Sequence, residues 1–322
     1  MTSQPAPAAG FSADWLHQRE PFDAAARDGA LLRLALDARL AAWCQPDGAP
    51  LRVIDLACGT GANLRWLAPR LGGAQQWLVV DHDAALLRRW PGCLAAGERG
   101  NGVDTFKTSS GEKSANTVDR RGRRDGSTLQ FSGLGFHAEI VRRQLDLAHA
   151  LESLPWHAAR LVTGSALLDL VGAAWLQRLV AAAATARVAL LMALSVNGRH
   201  RWAPGDADDA AVAALFSAHQ QRDKGFDGPA LGAAAAPALV LGLRRCGYRV
   251  HSARSDWLLD GRRDVQALAL QRALIDGMAM AALEQASAST PLVQAWRQRR
   301  QALAPRTVLR IGHLDVLALP PH

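Results

Sequence analysis

The stretch VIDLACGTGANLRWL, residues 53–67, constrains the fold more than any other part of the chain. An apolar run ends in Asp55, and a Gly-x-Gly turn follows at Gly59 and Gly61. Leu64, Leu67, Ala68 and Leu71 then recur at helical spacing. A short apolar run that stops at glycine reads as a buried strand, and the periodic segment after it as a helix with one apolar face. Glycine has no Cβ, so the backbone can bend tightly there and a ligand can approach its N–H groups. At the carboxyl end of a parallel strand, such a turn is where open α/β sheets bind ligands.

The same alternation continues along the chain. Strand signals fall at 77–80, 140–145, 160–163 and 188–194, and helix signals at 84–90, 172–184, 207–221 and 231–246. Two last strands are expected at 248–257 and 307–319. Strands alternating with helices imply right-handed crossovers, hence a doubly wound, mostly parallel α/β sheet with helices on both faces. The 322 residues are read as one domain with three additions. Residues 11–44 form one or two amphipathic helices, and 264–303 a helical insertion between the last two strands; either can cap the open edge of the sheet or complete its core. Residues 97–135 are rich in Gly, Ser, Thr, Asp and Arg and poor in Leu and Ala. They read as a mobile surface insertion, since they carry too little apolar surface to offset their ordering entropy.

Composition removes several function classes. The net charge of +8 comes almost entirely from arginines spread along the chain, which does not mark a nucleic-acid surface. The longest apolar stretch, 161–196, is broken by Asp169, Arg178 and Arg187, so no membrane span is expected. The N-terminus has no basic segment followed by an apolar core, so no signal peptide is expected. Cys44, Cys58, Cys93 and Cys246 are far apart, which fits a reducing cytoplasm and offers neither a disulfide framework nor a metal site.

Asp81 closes the second strand, twenty residues after Gly61. A carboxylate there can accept hydrogen bonds from a ribose diol, so the turn and the acid together point to a nucleoside-containing cofactor. A dinucleotide turn wants a third glycine where Leu64 stands, which disfavours a nicotinamide-dependent oxidoreductase. The run Asp55-Leu-Ala-Cys-Gly-Thr-Gly61 instead resembles motif I of the class I S-adenosylmethionine-dependent methyltransferases, with Ala57 at the position of the first glycine. LVVDHDAALL (78–87), RRQLDLAHAL (142–151) and ARLVTGSALLDLV (159–171) resemble the next three motifs of that family.

The resemblance implies a Rossmann-like sheet of seven strands whose last is antiparallel. It also implies S-adenosyl-L-methionine as cofactor, held by Asp55, Ala57, Cys58, Gly59 and Gly61. Asp81 would meet the ribose, His82 would flank the adenine, and Asp146 and Leu147 would meet its amino group and ring face. Ser165, with Ala166, would lie near the methionine part. Arg160 stands where the family often has an acid, and that position is unexplained. Asp55, through water, suits the cofactor's amino group, and Arg19 is a candidate for its carboxylate.

The acceptor side is less marked. The segment LSVNGRHRW (194–202) is read as leaving strand five, where Asn197, Arg199 and Trp202 could line a pocket or Asn-Gly could simply make a turn. In AHQQRDKGFDGPALG (218–232), His219 is the base candidate, with Asp223 one helical turn on to orient it. Lys224 and Arg222 could attract an anionic acceptor. The signatures expected for exocyclic-amine or C5 methylation of nucleobases are absent, so a small-molecule acceptor is expected rather than a nucleic acid. A nucleic-acid or protein methyltransferase, and a non-catalytic protein that kept the cofactor fold, are the alternatives. The sequence does not speak to oligomeric state.

Overall fold

The structure, a computed structural model, describes residues 11–44, 49–94 and 128–321. Its centre is a nine-stranded sheet built from β1 (Leu51–Leu56), β2 (Gly73–Asp81), β3 (Leu129–Gly133), β4 (Phe136–Gln144) and β5 (Leu161–Ser165). β6 (Ala189–Ala203), β7 (Arg249–Arg254), β8 (Trp257–Asp260) and β9 (Val308–Leu319) complete it. The order is β3-β4-β2-β1-β5-β6-β9-β7, with β8 also paired to β9. β4, β2, β1, β5 and β6 are mutually parallel. β9 runs antiparallel to β6, β7 and β8. The sheet is thus doubly wound and mostly parallel, with an antiparallel final strand. The winding reverses between β1 and β5, which opens a crevice at their carboxyl ends.

Helices cover both faces, as the alternation implied. On one side, the helix Ala62–Leu71 buries Leu64 and Leu67 against Val53, Val79 and Leu191. The N-terminal helix Ala13–Leu34 and the helix Leu36–Cys44 share that side, parted by the left-handed Ala35. On the other, the helices Ala173–Ala186 and Ala235–Arg245 bury Leu179 and Leu239 against Ile54, Val162 and Leu190.

Six sequence expectations change. The sheet has nine strands rather than seven, and β2 begins at Gly73 rather than at Trp77. Within the segment 97–135, residues 129–133 are strand β3, antiparallel to β4, with Leu129 and Phe131 buried; most of the rest lies outside the described residues. The strand expected at 140–145 begins earlier, at Phe136. The run 248–257 divides into β7 and β8, each finding its own length of β9. β6 does not end at Leu194: it bulges at Leu194 and again around Gly198, both in left-handed conformations, then continues to Ala203 beside β9.

That prolongation creates a third core beyond the carboxyl ends of the parallel strands. The outer parts of β6 and β9, strand β8, and the helices Asp209–Gln220, Val265–Gln285 and Thr290–Leu303 bury Trp202, Trp257, Leu270 and Trp296 together. Arg300, fully buried, stacks on Trp202 at 4.6 Å, pairs with Asp209 and donates to the Pro204 carbonyl at 2.9 Å. The expected insertion 264–303 is therefore a cap with its own core. Among the described residues, no helix is long and apolar enough to cross a membrane.

Candidate active site

The turn after β1 alternates in hand. Ala57, Gly59 and Gly61 all have positive φ, at 51°, 52° and 88°. Three left-handed residues within five positions fold the turn tightly back on itself: the N–H groups of Cys58, Gly59 and Gly61 are taken up by the Val80 carbonyl, the Asp81 carboxylate and the Cys58 carbonyl. Alanine at 57 accepts a conformation that glycine reaches without steric cost. The glycines also have a second reason. A Cβ on Gly61 would lie 2.9 Å from the Trp90 ring, whose Nε1 donates to the Gly59 carbonyl at 2.8 Å. One on Gly59 would lie 3.1 Å from Leu16 of the N-terminal helix.

Asp81 closes the turn from β2. Its Oδ2 accepts the Gly59 N–H at 2.8 Å and its Oδ1 the Asp83 N–H at 2.9 Å, so the expected ribose ligand is also a backbone brace. Each oxygen keeps a lone pair for a diol. His82 is exposed beside it, Nδ1 3.4 Å from Asp81 Oδ1. The Asp81 carbonyl accepts from Leu145, which brings the start of the next helix alongside: Asp146 caps it through Ala148 N–H at 2.9 Å and leaves an exposed oxygen, while Leu147 is buried. Ser165 ends β5 next door, followed by the left-handed Ala166.

Asp55 lies beneath the turn, fully buried. Its Oδ1 accepts from Asn63 at 2.6 Å, while its Oδ2 is buried without a partner. Burial pushes its carboxyl up to about 7, against the pull of the Asn63 hydrogen bond and the Arg27 charge. The same burial keeps the neighbouring Cys58 thiol protonated. Asn63 also bonds Thr163 at 3.2 Å and accepts from Arg27 at 2.8 Å. Arg27 lies 3.8 Å over Trp66 and 3.9 Å from Asp315, which in turn takes Ser255 and the Leu194 N–H. This buried chain joins the ends of β1, β5, β6 and β9 to the N-terminal helix. Sequence reasoning missed Arg27, Asn63 and Asp315, whose partners are remote in the chain.

Arg19 sits further along that helix. It forks onto Asp23, Nε to Oδ2 at 2.8 Å, and lies 5.3 Å over the Trp257 ring. Trp257 donates to Asp23 at 2.9 Å and packs on His313 at 5.0 Å. Arg19 is thus a largely buried, paired cation rather than a free one. The N-terminal helix is held to the turn by Glu20, which pairs with Arg65 at 2.6 Å, and Arg65 donates to the Thr60 carbonyl.

The expected acceptor groups are placed differently from their reading. Asn197 turns back to accept from its neighbour Arg199, which reaches Asp256 at 3.5 Å; both stand on the bulged β6. His219 ends its helix, and Asp223 lies beyond the helix end at Gln220, where it caps the Gly225 N–H instead. The carboxylate facing His219 is Glu284, at 2.9 Å, so the expected His219–Asp223 pair does not form. Lys224 is half-buried in the loop after that helix. The loop packs on the chain after β5, where Gly172 donates to the Phe226 carbonyl and Ala230 bridges back to Gly172.

No protein-family profile and no curated protein sequence matches the chain. Solved structures similar to it include the Haemonchus contortus phosphoethanolamine N-methyltransferase 2, at 10% identity and TM-score 0.36, over 89% of this chain and 53% of that one. This chain thus spans about half of that protein's length. Also similar are the geranyl diphosphate C-methyltransferase of Streptomyces coelicolor (11%, TM-score 0.39, 89% and 78%) and an S-adenosylmethionine-dependent methyltransferase of Thiobacillus denitrificans (16%, TM-score 0.36, 88% and 90%).

Proposed function

We propose that the chain is an S-adenosyl-L-methionine-dependent methyltransferase acting on a small-molecule acceptor. One observation supports this most: two carboxylates, Asp55 and Asp81, flank the glycine turn, and the deeper one has an unpartnered oxygen. A pyrophosphate would meet acceptor oxygens there where it needs donors. A ligand that presents an ammonium and a ribose diol is matched by that pair, because Asp55 Oδ2 gains the donor it lacks and Asp81 has lone pairs left for a diol.

In this reading Asp81 holds the ribose, and the exposed oxygen of Asp146 and the Leu147 face meet the adenine, with His82 at its edge. Asp55 Oδ2 takes the amino group. Arg19 faces the carboxylate, and Ser165 borders the methionine chain. The bound cofactor supplies an already activated methyl group, so the protein's task is to align the acceptor behind it and exclude water. The cap built on β6, β8 and β9 provides the walls for that. Asn197, Arg199 and Lys224 lie on the segments that border the acceptor's entry, and His219 is held by Glu284 on the cap. Asp81→Ala tests the cofactor placement: affinity for S-adenosylhomocysteine is expected to fall by about 1–3 kcal/mol, the scale of hydrogen bonds to a charged group. Unchanged affinity would remove Asp81 from the ribose site.

A further inference from the structure

A second set of buried polar groups lies where the N-terminal helix crosses the outer sheet. Asp169 follows β5, and its carboxylate accepts the main-chain N–H of Val196 on β6. Val196 pairs across the sheet with His313 of β9. Asp169 and His313 therefore flank Val196 from the two sides of β6, beyond the carboxyl end of β5. Asp169 Oδ1 is buried with no partner, and so is His313 Nδ1, on a residue only 4% exposed. Arg19 overhangs both from the helix, forked on Asp23, and Trp257 closes the side between Arg19 and His313. His200 of β6, edge-to-face with Phe216 at 5.8 Å, also acts on His313.

Unpartnered buried polar atoms are costly, and two on either side of β6 at the ligand end of the sheet imply a ligand that pairs with them. Asp169 Oδ1 can only accept unless it is protonated. Burial holds His313 down to about 3, further lowered by Arg19 and His200, so the ring is neutral and Nδ1 can accept in one tautomer. Burial also raises Asp169, against Arg19 and the main-chain donors. A raised carboxylate is the better proton acceptor of the two, and the depressed imidazole the worse.

We propose that Asp169 and His313 seat the methyl acceptor, that this acceptor is a hydroxyl or amine, and that Asp169 takes its proton. The inference rests on the methyltransferase reading above. In the step, the acceptor's O–H or N–H bond breaks toward Asp169 as its oxygen or nitrogen bonds the methyl carbon. The carbon–sulfur bond breaks and its electron pair stays on sulfur, which leaves the neutral thioether, the methylated acceptor and a protonated Asp169. His313 is a positioning group that accepts or donates one hydrogen bond. This assignment narrows the acceptor atom to oxygen or nitrogen and places the base on a strand end rather than on the cap helix that carries His219.

Two measurements test it. In a crystal of the full chain with S-adenosylhomocysteine, Asp169 Oδ1 should face the sulfur from within about 8 Å, room for one acceptor atom and a methyl group. A sulfur facing away from Asp169 overturns the proposal, whereas failure to bind the thioether at all overturns the cofactor reading instead. For turnover, the probes are a catechol, a primary alcohol, a primary amine and an activated-methylene carbon acid, each with methyl-labelled S-adenosylmethionine. Transfer to oxygen or nitrogen is expected, with Asp169→Asn about 100-fold slower in kcat and thioether affinity unchanged. His313→Asn is expected to raise the acceptor KM more than it lowers kcat. Transfer to the carbon acid alone, or an undiminished Asp169→Asn rate, contradicts the proposal. If no probe is methylated, the crystal geometry decides.

Discussion

Single residues at the turn carry opposing demands. Asp55 and His313 are both buried against their charged forms, and their effects on stability run in opposite directions with pH. The Asp55 carboxyl titrates at about 7 when folded and near 3.8 when exposed. Between those values the folded state holds a proton that the unfolded state has lost, so stability falls as pH rises through that window. His313 titrates at about 3 when folded and near 6.5 when exposed. There the unfolded state takes the proton that the folded state refuses, so stability falls as pH drops. Asp55→Asn removes the first effect and leaves the second. The variant should be more stable than wild type at neutral pH by about 2–4 kcal/mol, and its stability should rise steadily from about pH 4 to about pH 7. Urea unfolding across that range reads both; equal stability at neutral pH would mean that Asp55 is not held against its charge.

Backbone hand gives a second prediction at this scale. Ala57→Gly should add about 0.5–1 kcal/mol, since the left-handed conformation costs alanine more than glycine. Gly61→Ala should cost about 2–4 kcal/mol, because its Cβ would enter the Trp90 ring at a positive φ. Thermal unfolding of the two variants, with opposite shifts expected, checks the pair. The residues of the turn, and Asp81, were legible in the sequence because their chemistry is local: strand, turn and closing acid lie within thirty residues. The roles of Arg27, Asn63, Asp169 and His313 were not. Asp169 reads in sequence only as a break in an apolar run, and His313 as a lone imidazole in a strand. What makes them functional candidates is a neighbour more than twenty-five residues away.

Elements obey the same division. Strands β1 and β5 and the helix Ala62–Leu71 follow from short-range pattern, and each appears close to its expected limits; β2 ends where expected but starts four residues earlier, at Gly73. β3 was hidden because only Leu129 and Phe131 mark it in a polar segment, and its pairing with β4 supplies the rest. β6 was cut short because Asn197-Gly198 reads as a turn; pairing with β9 carries the strand through it as a bulge. The cap that this extension supports is held by Arg300. Arg300→Met leaves Asp209 without its buried cation, with only the Trp296 indole and the Asp206 N–H still donating to it, and should destabilise the protein by about 3–5 kcal/mol. Because Arg300 packs on Trp202 of the cap's core, pairs with Asp209 and donates to the Pro204 carbonyl, away from the turn, thioether affinity should persist at temperatures below unfolding. Loss of binding in the folded variant would tie the cap directly to the cofactor turn.

At the scale of the molecule, the sheet order brings three kinds of surface to one crevice. The turn after β1 offers a glycine bend between two acids, the chain after β5 and strand β9 offer the unpartnered Asp169 Oδ1 and His313 Nδ1, and the N-terminal helix roofs both with Leu16 and Arg19. Isothermal titration of the full chain with S-adenosylhomocysteine, with NADH as the competing candidate, tests this account most directly. One thioether bound per chain and no NADH is the predicted result. NADH binding without thioether binding would contradict it.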